Sequence, residues 1–80
     1  MKIAVLGSGS WGTALGQVLA ENGHEVVLWG REDYIADEIN QAHTNSHFLP
    51  GINLPATIVA TTDLKAALDQ ATVLLFVLPT

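Results

Sequence analysis

The first residues whose types and spacing could do chemistry are glycines. Gly7, Ser8, Gly9, Ser10, Trp11 and Gly12 follow the pattern G-x-G-x-x-G, directly after the apolar run Ile3, Ala4, Val5 and Leu6. Each glycine has its own physical task. Gly7 permits a tight turn, Gly9 lacks the Cβ that would hold a pyrophosphate away from the backbone, and Gly12 lets a helix and a strand approach closely. The free amides of residues 9–12 then point at an anion, and the dipole of the following helix adds about 0.3–1 kcal/mol. The pattern alone is weak, and a flexible turn without a ligand is the competing reading. Its context strengthens it: strand, turn, helix and second strand fit within about 30 residues, as a dinucleotide-binding unit requires. Ser10 and Trp11, inside the turn, belong to the same candidate site, although Trp11 could instead be a hydrophobic plug over the first helix.

A second candidate lies where the next strand runs out, at Trp29, Gly30 and Arg31. A fold that prefers NAD usually places an acid there, accepting from the ribose 2′-hydroxyl. An arginine can instead meet a 2′-phosphate bidentately, with a charge-assisted bond worth roughly 1.5–3 kcal/mol. Arg31 therefore favours NADP, with NAD open if Glu32 or Asp33 takes the ribose. Other polar side chains read as structural. His24 precedes a strand, and His43 and His47 share a loop without a third ligand, so no metal site is expected. Asp33, Asp37, Glu38 and Asp69 read as solvated helix acids, and Lys65 as a solvated lysine with no acid–base role.

The elements that must hold these residues alternate. Apolar runs at 2–6, 25–29, 58–60 and 73–78 predict strands, the last apolar at every position, as in a strand covered on both faces. Between them, Leu15, Val18 and Leu19 mark one face of a helix over 11–22 that ends at a left-handed Gly23. Ile35, Ala36 and Ile39 mark a second helix opening near Glu32 and Asp33. Thr62 or Asp63 can cap a third, with Leu64, Ala67, Leu68 and Ala71 on one face. Residues 43–55, with Pro50, Gly51 and Pro55, form a connecting loop. Right-handed crossovers then imply an α/β, Rossmann-like doubly wound parallel sheet in its βαβαβαβ portion, with strand order 3-2-1-4. The fourth strand of such a sheet needs a fifth beside it. Residues 1–80 are thus expected to be the N-terminal part of a dinucleotide-binding domain, cut short of its catalytic domain, with a sticky fourth-strand edge through which two copies could pair.

Composition narrows the partners. The net charge is −5, and Lys2, Arg31 and Lys65 are the only cations, so nucleic acid is not an expected ligand. The longest apolar run, 73–78, is far shorter than the roughly 20 residues of a membrane-spanning helix. With no cysteine and no secretory signal pattern, a cytoplasmic location is expected.

Further motifs bring a family into view. The run from Gly7 through Thr13, Ala14 and Leu15, then Asn22-Gly23-His24-Glu25-Val26 and Leu28-Trp29-Gly30-Arg31, resembles the start of the bacterial NAD(P)-dependent glycerol-3-phosphate dehydrogenases. Asn45 with Phe48-Leu49-Pro50-Gly51 and Leu54-Pro55 resembles that family's loop, and Val77-Leu78-Pro79-Thr80 the end of its fourth strand. One departure is Gly16, where the family more often has alanine, at an expected cost of about 0.5–1 kcal/mol to the helix. The resemblance implies an oxidoreductase that reduces dihydroxyacetone phosphate to sn-glycerol 3-phosphate with NAD(P)H, for glycerophospholipid synthesis, and that assembles as a homo-oligomer. It implies that Ser10 and Trp11 contact the pyrophosphate region, Arg31 the adenosine ribose or its phosphate, and Phe48 the adenine side. Pro79 would lie near the pyrophosphate or nicotinamide. The family's catalytic lysine and substrate-phosphate ligands belong beyond Thr80, so the chain alone is expected to be inactive. A ketopantoate reductase of the same broad type and a non-catalytic dinucleotide sensor remain as alternatives.

Overall fold

The apolar runs at 2–6 and 25–29 pair directly. In the computed structural model, which describes residues 1–77, β1 (Lys2–Leu6) lies parallel to β2 (Glu25–Trp29), with Lys2 opposite Glu25 and Leu6 opposite Trp29. β3 (Val59–Thr61) adds outside β2 and β4 (Val73–Phe76) outside β1, giving the expected parallel order β3-β2-β1-β4. Parallel strands bring their C-terminal ends to one edge, where β1 delivers the glycine turn and β2 delivers Gly30 and Arg31.

Three helices connect the strands: α1 (Ser10–Glu21), α2 (Asp33–Ala42) and α3 (Leu64–Leu68). α1 ends as its sequence requires. Gly23 has φ +91°, its N–H donates to Ala20 O at 3.0 Å, and the His24 N–H donates to Leu19 O at 3.1 Å, the paired bonds of a Schellman cap. Asp63, rather than Thr62, caps α3 by accepting from the Lys65 N–H. On α2, Ile35 and Ile39 lie one turn apart and join Val5, Val26 and Leu28 in full burial. Each contributes about 1.5–3 kcal/mol relative to exposure. Asn40, on the same helix, donates to Ala60 O and accepts from the Ala60 N–H, both at 2.8 Å, so its amide closes the outer edge of β3 as another strand would. No helix among the described residues is long and apolar enough to cross a membrane.

Four expectations need correction. α1 does not meet the sheet through Leu15 and Val18. Its buried positions are Gly12, Thr13 and Gly16, and Val18 is exposed. The helix lies so close that a Cβ on Gly16 would sit 3.0 Å from Leu28 Cδ2 and 3.4 Å from Val26 Cγ1, so the glycine that weakens the helix also allows the approach. β3 starts at Val59, one residue later than expected, while Ile58 is a core residue just before it. α3 stops at Leu68, and only Ala67 is buried. Ala71 lies beyond the left-handed Gln70, which ends any continuation. β4 runs to Phe76, with Leu78 outside the described residues, and among the described residues it is not covered on both faces. Val73 and Leu75 pack on the core, but Leu74 and Phe76 are 45% and 70% exposed. Its apolar pattern anticipates a layer that the described residues do not supply.

Candidate functional site

The site starts with steric demands at the end of β1. Gly7 has φ +137°, and a Cβ there would fall 2.1 Å from Val77 O, so the chain turns hard against the end of β4. A Cβ on Gly12 would fall 1.7 Å from Gly7 O, which makes glycine obligatory where α1 leaves the turn. Gly9 is different: it precedes the first residue of α1, and a Cβ there would meet nothing within 4 Å. The first amides of α1, from Ser10 onward, have no carbonyl one turn back to receive them, and the helix dipole gathers partial positive charge at the same point.

Below the turn lies a buried polar cluster. Ser8 O accepts from Thr13 Oγ1 at 3.2 Å and from Asn45 Nδ2 at 3.0 Å, and the same Nδ2 lies 2.9 Å from Thr13 Oγ1. Asn45 and Thr13 are wholly buried. Asn45 Oδ1 accepts from the Phe48 N–H at 3.3 Å, so one side chain ties the glycine turn to the loop carrying Phe48.

The glycine turn, the end of β2 and Phe48 border a cleft of about 520 Å3 at the C-terminal edge of the sheet. Gly7, Gly9, Ser10, Trp11, Gly12, Arg31 and Phe48 all line it, so seven of the eight residues singled out from sequence meet in one place. Pro79 lies outside the described residues. Trp11 is 81% exposed at the cleft, which corrects the plug reading. Glu32 also lines the cleft; Asp33 does not, and its Oδ1 accepts from Thr62 Oγ1 at 3.0 Å. Of the two acids offered for a ribose, only Glu32 faces the space.

Ser8, Trp29 and Gly30, which sequence reasoning placed within the two candidate segments without a role of their own, also line the cleft. A Cβ on Gly30 would lie 1.9 Å from Ser8 Oγ, so this glycine makes room for the serine of the turn. Trp29 Nε1 donates to Thr62 O at 3.0 Å and fixes the end of β2 against the residue after β3. A glycine following a strand, just before the arginine, was the available signal. Glu38 is not merely a solvated helix acid. It accepts from Thr44 Oγ1 at 2.6 Å, from the Ser46 N–H at 2.9 Å and from Ser46 Oγ at 3.1 Å. The Thr44 hydroxyl first, and then the Ser46 amide, hold its carboxyl below the usual carboxylate range. His47 stacks edge-on between Tyr34 and Phe48, and among the described residues no three His, Cys, Asp or Glu side chains could hold a metal together.

Comparison with known proteins places this geometry. The family model for the NAD-dependent glycerol-3-phosphate dehydrogenase N-terminus matches residues 2–80. The glycerol-3-phosphate dehydrogenase of Enterococcus faecalis, named for NAD(P)+, is 62% identical over 79 residues, covering 99% of this chain. Its Bacillus thuringiensis counterpart is 57% identical over the same span. The chain spans 23% of the length of each of these curated relatives. Among solved structures, glycerol-3-phosphate dehydrogenase from Coxiella burnetii superposes with a TM-score of 0.89 at 46% identity, covering 98% of this chain and 24% of that one. The Saccharomyces cerevisiae enzyme gives 0.89 at 34% identity, over 99% and 26%. The chain belongs to the NAD-dependent glycerol-3-phosphate dehydrogenase N-terminal family.

Proposed function

We propose that this chain is the dinucleotide-gripping part of an oxidoreductase that reduces dihydroxyacetone phosphate to sn-glycerol 3-phosphate with NAD(P)H, for glycerophospholipid synthesis. The observation that carries the reading is the shape of the glycine turn. Two glycines are obligatory for the backbone's own packing, while the third, Gly9, leaves open space beside amides that lack partners. A pyrophosphate fits that cradle. Gly7, Gly9, Ser10, Trp11 and Gly12 would hold it, Arg31 the adenosine ribose or its 2′-phosphate, Phe48 the adenine side, and Pro79 a position nearer the nicotinamide. When bound, the cofactor supplies the hydride. What these residues do is grip, orient and exclude water.

NADP is favoured by Arg31 and NAD accommodated by Glu32, both of which line the cleft. Family membership favours this reading over a ketopantoate reductase or a dinucleotide sensor. The catalytic lysine, the small phosphorylated substrate's site and the catalytic domain would belong to the remaining length of the relatives, leaving residues 1–80 inactive alone. The same reading includes a cytoplasmic homo-oligomer, and pairing of isolated 80-residue chains through the outer edge of β4.

The test is a fluorescence titration with NADPH and NADH of the wild-type chain and Arg31→Ala. Loss of one charge-assisted contact should weaken NADPH roughly 10- to 100-fold and leave NADH nearly unchanged. Equal affinities in both proteins would remove the phosphate assignment, and absence of binding by the wild-type chain would remove the cradle.

A further inference from the structure

Residues 44–48 hold no regular element beyond one antiparallel bridge between Asn45 and Leu49, yet side chains secure them in two directions. From α2, Glu38 takes the Thr44 hydroxyl and both the amide and hydroxyl of Ser46. From between those two residues, Asn45 reaches inward to Ser8 O and Thr13 Oγ1, while its own oxygen accepts from the Phe48 amide.

The consequence for the glycine turn follows from peptide geometry. A trans peptide points its C=O and the next N–H in opposite directions. With Ser8 O drawn into the buried cluster, the Gly9 N–H must point the other way. Gly9 is itself permissive about backbone rotation. Without a fixed carbonyl, the Ser8–Gly9 peptide could turn over and present an oxygen where an amide is needed.

We propose that Asn45 and Glu38 are positioning residues of the cofactor cleft: Asn45 holds the Ser8 carbonyl inward so that the Gly9 amide faces outward, and Glu38 secures the turn from which Asn45 and Phe48 project. What the cleft holds rests on the dinucleotide reading above; the orientation of the turn does not. Neither residue touches the reacting atoms.

The experiment has one arm without ligand and one with it. In 15N–1H spectra of the free chain, Asn45→Ala should shift the Gly9 amide signal and speed its hydrogen exchange. In titrations with NADH and NADPH well below the melting temperature, Asn45→Ala and Glu38→Ala should each weaken both dinucleotides by about two- to tenfold, the scale of one lost hydrogen bond. Glu38→Gln should restore affinity, since its amide oxygen can accept from the Ser46 N–H and its nitrogen can donate to Ser46 Oγ. Combining Asn45→Ala with Glu38→Ala should weaken binding by less than the product of the two single effects, because both act through the same turn, and fully multiplicative effects would count against that shared route. Should Asn45→Ala fail to fold, Thr13→Val removes the hydroxyl from the same cluster at nearly the same volume and should move the Gly9 signal likewise. A lower melting temperature with unchanged affinity and an unmoved Gly9 signal would make both residues merely structural and overturn the proposal. If the wild-type chain binds neither dinucleotide, the cofactor reading falls, and the Gly9 signal still decides whether Asn45 orients the turn.

Discussion

Gly9→Ala separates what the glycine turn needs for folding from what it needs for a ligand. A Cβ at this position meets no atom within 4 Å, and the backbone, at φ −74° and ψ −167°, is open to any residue. Two opposing effects set the stability change. Removing glycine's freedom from the unfolded chain stabilises by about 0.4–1 kcal/mol. Gly9 is also the N-cap of α1, where alanine is poorer than glycine by a similar amount, roughly 0.5–1 kcal/mol. The two nearly cancel, so the net change is within about 0.5 kcal/mol, and for a domain of this size the melting temperature moves by less than about 4 °C. The cleft responds differently. A methyl group on the turn keeps an anion from the Gly9 and Ser10 amides, and one charge-assisted bond lost costs roughly 1.5–3 kcal/mol, or about 10- to 100-fold in affinity. Trp11 and Trp29 both line the cleft, so intrinsic fluorescence during NADH and NADPH titration reads binding, while differential scanning fluorimetry reads stability. Unchanged dinucleotide affinity in a normally folded Gly9→Ala protein would refute the pyrophosphate assignment, whatever else the cleft binds.

Gly12→Ala should show the opposite balance. Its Cβ lies 1.7 Å from a backbone oxygen and must open to at least 3.0 Å, so the protein should lose about 1–3 kcal/mol or more and melt at least about 4 °C lower; an unaltered melting temperature would contradict the packing. Glu38 predicts a pH effect. Its carboxyl titrates lower in the fold than its ordinary 4.5, so its contribution is present above that value and lost as pH falls through the folded pKa. Thermal melts of wild type and Glu38→Gln over about pH 6 to 3 should therefore converge toward acid, and a constant difference would exclude the carboxylate as the cause. Sedimentation of the 80-residue chain should show concentration-dependent association that Leu74→Lys abolishes, since a charge on β4 opposes pairing; a monomer at every concentration would count against it.

How far the sequence foretold the molecule depended on the range of the forces involved. The strand order and the turn were legible because they rest on local signals: apolar runs, the Gly23 cap and glycines at fixed spacing. The packing face of α1 was not, since hydrophobic periodicity weighs Leu15 and Val18 above Gly12, Thr13 and Gly16. Close packing against Val26 and Leu28 selects for missing volume, which a search for apolar bulk passes over. The lining residues Arg31 and Phe48 were legible through strand position and family resemblance. Asn45 was visible only as part of a motif, because its partners Ser8 and Thr13 lie 37 and 32 residues away. Nothing in a one-dimensional pattern says where a buried amide finds its acceptors.

Asn45 also explains why the glycine turn and the distant loop act as one device. A buried polar side chain stays only if its hydrogen bonds are met, and leaving a buried donor without a partner costs about 1–3 kcal/mol. Asn45 meets its needs at the Ser8 carbonyl, which it shares with the Thr13 hydroxyl, and at the amide of Phe48. The energy that keeps the loop in place is therefore the same energy that fixes the polarity of the turn. A change at Asn45, remote in sequence and absent from the cleft lining, should thus reach the ligand through the Ser8–Gly9 peptide.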